Sequence, residues 1–127
     1  MKEKLEKNLK NAYSPVYNYP VSSIIVMKDG KEFIGVNVET MSPAAGICAE
    51  RNALYNAFSN GYKKGDVAHI HVMNNTDKYS YPCFICRQAL SDLCDKETLV
   101  TVYKKNGENN TVKINQLCTY PFSKENF

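Results

Sequence analysis

No apolar run in this chain approaches the roughly 20 residues a helix needs to cross a bilayer, and Met1 to Lys10 holds no apolar core of the secretory kind. Neither sign of charge is in marked excess. Lys and Arg total 16 against 13 Asp and Glu, and much of the surplus lies in the first ten residues. A net charge of +3 is too weak to imply a polymer of nucleic acid or a membrane as partner. A pairable set of cysteines is also lacking: there are five, an odd number, and three stand at metal-ligand spacing. A reducing cytoplasm is therefore the expected home. No repeat, low-complexity tract or internal boundary interrupts the 127 residues, and 43% of them are apolar. The expectation is one globular domain over residues 1–127.

What is present begins with an amphipathic stretch. Leu5, Leu9 and Ala12 recur at helical spacing and predict a helix over 2–13, stopped by Ser14-Pro15. Val21 to Met27 reads as a strand, and Lys28-Asp29-Gly30 as the turn into a second, antiparallel strand. On that second strand Phe33, Gly35, Asn37 and Glu39 share one face, and Ile34, Val36 and Val38 the other. A loop from Met41 to Gly46 leads to a helix over about 48–59, closed by Asn60-Gly61. Strand 67–73, a polar loop 74–81 and a helix over about 83–94, with Ile85, Ala89, Leu90 and Leu93 inward, come next. Strands 99–103 and 111–114, a turn over 104–110 between them and one helical turn at 115–118 complete the pattern. The fold class expected is α/β, a three-layer αβα arrangement around a mixed, roughly five-stranded sheet. The two later helices would then start at the same sheet edge, where open α/β folds bind ligands.

Both of those helices start with cysteine. Cys48-Ala49-Glu50 opens the first, and Pro82-Cys83-Phe84-Ile85-Cys86 opens the second. Cys83 and Cys86, three apart at a helix start, can direct both sulfurs at one ion, and Cys48 supplies a third. Structural zinc sites fill four positions from protein, whereas three ligands leave one for water, whose pKa zinc lowers to about 7. Glu50 is placed to carry a proton to and from such a site. Thiolate charge is offset by the two helix N-termini and by Arg51, which can donate to a sulfur. A closed structural site would need a fourth ligand from Cys94, Cys118, His69 or His71. None lies at short spacing from the motif, and Glu50 would then be unexplained. Cys94 and Cys118 read instead as small packing residues, and His69 and His71 as partnered strand residues. A ligand two residues before a Glu, followed later by P-C-x-x-C, is the signature of zinc-dependent nucleobase deaminases.

The runs Gly35-Val36-Asn37-Val38-Glu39, Cys48-Ala49-Glu50-Arg51-Asn52-Ala53 and Pro82-Cys83-x-x-Cys86-Arg87-Gln88-Ala89-Leu90 resemble the small, homotetrameric, three-cysteine cytidine deaminases. The likeness extends from about Ala12 to Phe122. It implies one zinc per chain on Cys48, Cys83 and Cys86, Glu50 as proton shuttle, and hydrolysis of free cytidine and deoxycytidine for pyrimidine salvage. It also implies that Asn37 and Glu39 hold the ribose 3′-hydroxyl, that the Ala49 backbone and Tyr19 lie at the base, and that Arg51 sits against the thiolates. Phe122 matches an aromatic that enters a neighbouring subunit's site, so the resemblance implies a homotetramer with shared sites.

Four departures lie around the pocket. Tyr19 replaces the family's usual Phe, Ser22-Ser23 and Phe84-Ile85 each replace Gly-Ala, and Pro43-Ala44-Ala45-Gly46 is an unusual loop. These bear on selectivity more than on reaction type. The nearest rival is a deaminase of a cytosine nucleoside antibiotic of the blasticidin S type, which shares the Tyr, but Glu39 and Arg51 follow the nucleoside pattern. Glu39 would repel the 3′-phosphate of a polynucleotide substrate. A non-catalytic zinc-stabilised binding module has no use for Glu50.

Overall fold

Alternation along two neighbouring strands sets up the layers of the computed structural model, which describes residues 1–127. On β1 (Val21–Met27), the adjacent residues Ile24 and Ile25 point to opposite faces and join two separate buried clusters. Ile24 packs with Met73, Tyr103 and Leu5 of α1 (Lys2–Leu9). Ile25 packs with Ala53, Leu54 and Ala57 of α2 (Ala49–Ser59) and with Ala89 and Leu90 of α3 (Phe84–Leu93). One helix therefore covers one face and two cover the other, which is the three-layer arrangement expected.

The sheet is mixed and has five strands in the order β2-β1-β3-β4-β5, with β2 Glu32–Val36, β3 Val67–Asn74, β4 Leu99–Tyr103 and β5 Asn109–Lys113. Both β2 and β3 run antiparallel to β1, and β4 is parallel to β3. Hence β2 and β3 run the same way. The helices that follow them, α2 and α3, start at the same edge of the sheet, as the sequence predicts.

β1 and β4 occupy the expected spans, and Gly30 takes the left-handed conformation of the turn, with φ +92°. Elsewhere the boundaries move. α1 ends at Leu9 rather than near residue 13. The N–H groups of Asn11 and Ala12 bond three residues back, to Asn8 and Leu9, and Tyr13 then bridges to Val38. The helix is therefore over before Ser14-Pro15 is reached, and Tyr13 lies in an isolated bridge instead. β2 likewise ends at Val36, and Val38 pairs in isolated bridges with Tyr13 and Ile47. β5 starts two residues earlier than expected, and Ile114 opens α4 (Ile114–Leu117) instead of closing the strand.

Ile85 is a clear correction. It is 65% exposed, and the inward place belongs to Cys86. The buried stripe of α3 runs through Cys86, Ala89 and Leu90, and Ile85 lies about 100° around the helix from it.

His69 and His71 share one face of β3, with stacked rings 4.0 Å apart. His69 Nε2 meets Thr101 Oγ1 at 2.7 Å, and His71 Nδ1 meets Tyr103 Oη at 2.9 Å. Both are partnered strand residues. Burial, reinforced by His69, pushes His71 down from 6.5 to about 4. The unfolded chain then binds one more proton than the folded chain between those values, so stability falls as pH drops through the window. Allowing for residual solvent screening, the loss is about 1–2 kcal/mol. Chemical denaturation between pH 7 and 4.5 checks this, with His71→Gln expected to flatten the slope.

Candidate functional site

The shared sheet edge brings the three predicted cysteines together. Cys48 and Cys83 are the extended residues that cap α2 and α3, and Cys86 sits in the first turn of α3. Their sulfurs all lie within 4.8 Å of one another, with 3.7 Å between Cys48 Sγ and Cys83 Sγ. Tetrahedral zinc with Zn–S bonds of about 2.3 Å separates its sulfurs by about 3.8 Å. The donor set and spacing fit that ion. Arg51 Nη2 donates to Cys48 Sγ over 3.7 Å, while its Nε is buried without a partner. A hydrogen bond from the Cys86 thiol, helped by Arg51 and Cys83 against the opposing effect of burial, brings Cys48 down to about 5. Thiolate character therefore settles on Cys48, and Cys86 is pushed up.

Glu50 follows from the second helical position of α2 and is buried. Burial lifts its carboxyl to about 7, and the Cys48 charge adds to the rise. A carboxyl held near neutrality suits proton transfer in both directions. It shares a cavity of about 410 Å³ with Cys48, Cys83, Ala49, Asn37 and Tyr19, within the range of small-ligand pockets. Val21 and Val72 supply apolar wall, and Ser80 and Tyr81 complete the lining. A second cavity of about 300 Å³ shares Asn37 and Cys48 and adds Glu39, Arg51 and Ile85.

Asn37 and Glu39 both line this region, and both are engaged by backbone. Asn37 Oδ1 accepts from Val21 N at 2.8 Å, and its Nδ2 donates to the Tyr19 carbonyl at 2.9 Å. Glu39 accepts from Ser14 Oγ at 2.7 Å, Val16 N at 2.9 Å and Tyr17 N at 3.1 Å. Burial acts to raise the Glu39 carboxyl, but these three donors together lower it. Phe122 is not brought to this chain's cavity. It is 60% exposed beside α3, where its carbonyl accepts from Gln88 Nε2 at 2.9 Å. Ser80 and Tyr81 were missed in the sequence because a polar loop carries no periodic signal. Their nearness to Cys83 was the available clue.

Residues 1–102 match the family model described as the cytidine and deoxycytidylate deaminase zinc-binding region. The chain belongs to this family. A cytidine deaminase of Halalkalibacterium halodurans is 34% identical over 114 residues, covering 90% of this chain and 85% of the relative. One from Mycoplasma genitalium is 29% identical over 122 residues, covering 96% and 92%. The crystal structure of cytidine deaminase from Burkholderia pseudomallei superposes with a TM-score of 0.90 at 33% identity and covers 94% of each chain. Zinc is the family's metal, and the three sulfurs are positioned to hold it.

One small residue underlies the family site here. A Cβ on Gly35 would collide with the Ala53 backbone nitrogen and lie 2.5 Å from the Ala49 carbonyl oxygen. The start of α2 thus rests directly on β2. Gly35→Ala is expected to cost about 1–3 kcal/mol by overpacking and to weaken zinc retention by displacing Cys48. Denaturation together with chelator competition measures both. In the same assay Cys83→Ser should lose zinc far more readily than Cys118→Ser.

Proposed function

We propose that the chain deaminates free cytidine and deoxycytidine hydrolytically, giving uridine or deoxyuridine and ammonia. The observation that carries this reading is the buried Glu50 carboxyl in one cavity with two of three converging sulfurs. Zinc on Cys48, Cys83 and Cys86 would polarise water for attack on C4 of the ring. Glu50 takes one proton from the attacking water and delivers it to ring N3. It then takes the second from the oxygen now on C4 and gives it to the amine as the C4–N bond breaks. Its carboxyl, lifted by burial, suits both the taking and the giving. Arg51, bonded to Cys48 Sγ, offsets thiolate charge. The Ala49 backbone and Tyr19 lie at the base, and Asn37 and Glu39 face the sugar.

The charges of the cavity favour a nucleoside over a nucleotide. Arg51 is the lone cation lining either cavity, it is engaged with Cys48, and Glu39 adds negative charge. The related deaminases are cytidine deaminases by name, which supports the same substrate. Pyrimidine salvage in the cytoplasm is the corresponding role.

A homotetramer with shared sites belongs to this proposal. Met41 at 91% and Ile85 at 65% exposure on the second cavity, with Phe84 at 78% beside Ile85 on α3, leave a large apolar surface next to the site, as unassembled interfaces do. Phe122, exposed and outside its own chain's cavity, is available to a neighbour. Sedimentation should find four copies of the 14.4 kDa chain.

Steady-state assays on cytidine, deoxycytidine, blasticidin S and single-stranded DNA test the substrate. Cytidine and deoxycytidine should lead by kcat/KM, and preference for the antibiotic would reject the assignment. Glu50→Gln should keep its zinc and fold while losing about 100- to 10,000-fold in kcat. Survival of turnover in that variant would overturn the mechanism.

A further inference from the structure

The Tyr19 hydroxyl donates to Ser80 Oγ. This bond ties the segment ahead of β1 to the loop ahead of α3, and both residues line the cavity that holds Cys48, Glu50 and Cys83. Tyr19 is fixed at both ends of its backbone. Its N–H donates to Ser14 Oγ at 2.8 Å, and its carbonyl accepts from Asn37 Nδ2 at 2.9 Å. The ring is therefore held on a pinned backbone, and Ser80 receives a directed proton.

A serine hydroxyl has one proton and two acceptor lone pairs. Ser80 takes the Tyr19 proton on one lone pair, which leaves its own proton without a protein acceptor. The other neutral polar side chains of the cavity are each held by a bond to the scaffold. The Asn37 amide bonds Val21 N and the Tyr19 carbonyl, and the Tyr81 hydroxyl accepts from Asn110 Nδ2 on β5 at 2.7 Å. Donation from Tyr19 also polarises the Ser80 hydroxyl and strengthens what it can give.

We propose that Ser80 is a substrate-binding donor, giving its hydroxyl proton to an oxygen of the bound nucleoside, and that Tyr19 is the positioning residue that orients it. This rests on the nucleoside reading of the cavity. The acceptor is an oxygen of the pyrimidine ring or of the ribose, and comparison of cytidine with deoxycytidine tells the 2′-hydroxyl from the rest.

Steady-state kinetics on the zinc-loaded protein provide the test. Ser80→Ala should raise KM for cytidine about three- to tenfold and leave kcat near wild type, because the contact is made in the ground state as well as the transition state. Ser80→Thr keeps the hydroxyl and should restore KM. Tyr19→Phe should lose less than Ser80→Ala, and the double variant should be no worse than Ser80→Ala alone, since Tyr19 acts through Ser80. An equal loss with deoxycytidine puts the acceptor elsewhere than the 2′-hydroxyl, and a loss confined to cytidine puts it there. An unchanged KM in Ser80→Ala, fully additive losses in the double variant, or losses that follow zinc content would each overturn the proposal. Calorimetric binding of cytidine in a Glu50→Gln background reads the donor without turnover. Failure of the wild type to deaminate cytidine defeats the functional reading. Cytidine binding that ignores Ser80→Ala defeats only this inference.

Discussion

Everything at this site depends on two helix starts meeting at one point. Cys48 and Cys83 are 35 residues apart in the chain, yet their sulfurs lie 3.7 Å apart. Neither helix creates that proximity by itself. It follows from β2 and β3 both running antiparallel to β1, which puts their C-terminal ends on one edge, and from Gly35, which lets α2 lie against β2. The C-x-x-C spacing then adds Cys86 within a single helical turn. A metal site built this way is a property of the sheet's topology as much as of its ligands. The positive ends of both helices also face the sulfurs, where they favour negative charge.

The walls of the pocket are held by the residues that the family resemblance assigns to the sugar. Asn37 joins Tyr19 to Val21 through its amide, and Glu39 gathers Ser14, Val16 and Tyr17 onto one carboxylate. Together they fasten the segment from residue 14 to 21 along the end of β2, including Asn18, which has a positive φ of 49°. Binding and scaffolding therefore meet on the same side chains. A carboxylate has about four lone-pair sites, and three protein donors leave Glu39 room for one more. Asn37 already uses both ends of its amide once, so its remaining capacity lies in the second lone pair and the second proton.

How much of this was legible in the sequence divides along physical lines. β1 and β4 were legible because each is a short run rich in β-favouring residues, buried along nearly its whole length, and Lys28-Asp29-Gly30 closes the first. The cysteine motifs were legible because metal chemistry constrains spacing tightly. The end of α1 was not, since the chain leaves the helix for an isolated bridge between Tyr13 and Val38, 25 residues later. Ile85 was misjudged because apolar character alone does not say which side of a helix faces the core, and Cys86 already held the inward place. Ser80 was invisible for the opposite reason. It lies in a polar loop, and only the fold brings it to Tyr19, 61 residues away.

The charge balance of the site explains why metal and fold belong together. Among the chain's own groups, Glu50 is buried with a carboxyl lifted to about 7, Cys48 is drawn toward the thiolate, Cys86 is held back as a thiol, and Arg51 Nε lacks a partner. The raised Glu50 carboxyl and the unpartnered Arg51 Nε each cost folding free energy at neutral pH, whereas the donors that lower Cys48 favour the folded chain there. A dication among the three sulfurs reverses the sign of the local field: it favours ionised thiols and an ionised Glu50 together. Metal affinity must then fall as pH falls, because protons and zinc compete for the same sulfurs. The chain's own contribution is to keep the sulfurs near their bonding separation beforehand, so that little rearrangement opposes the gain.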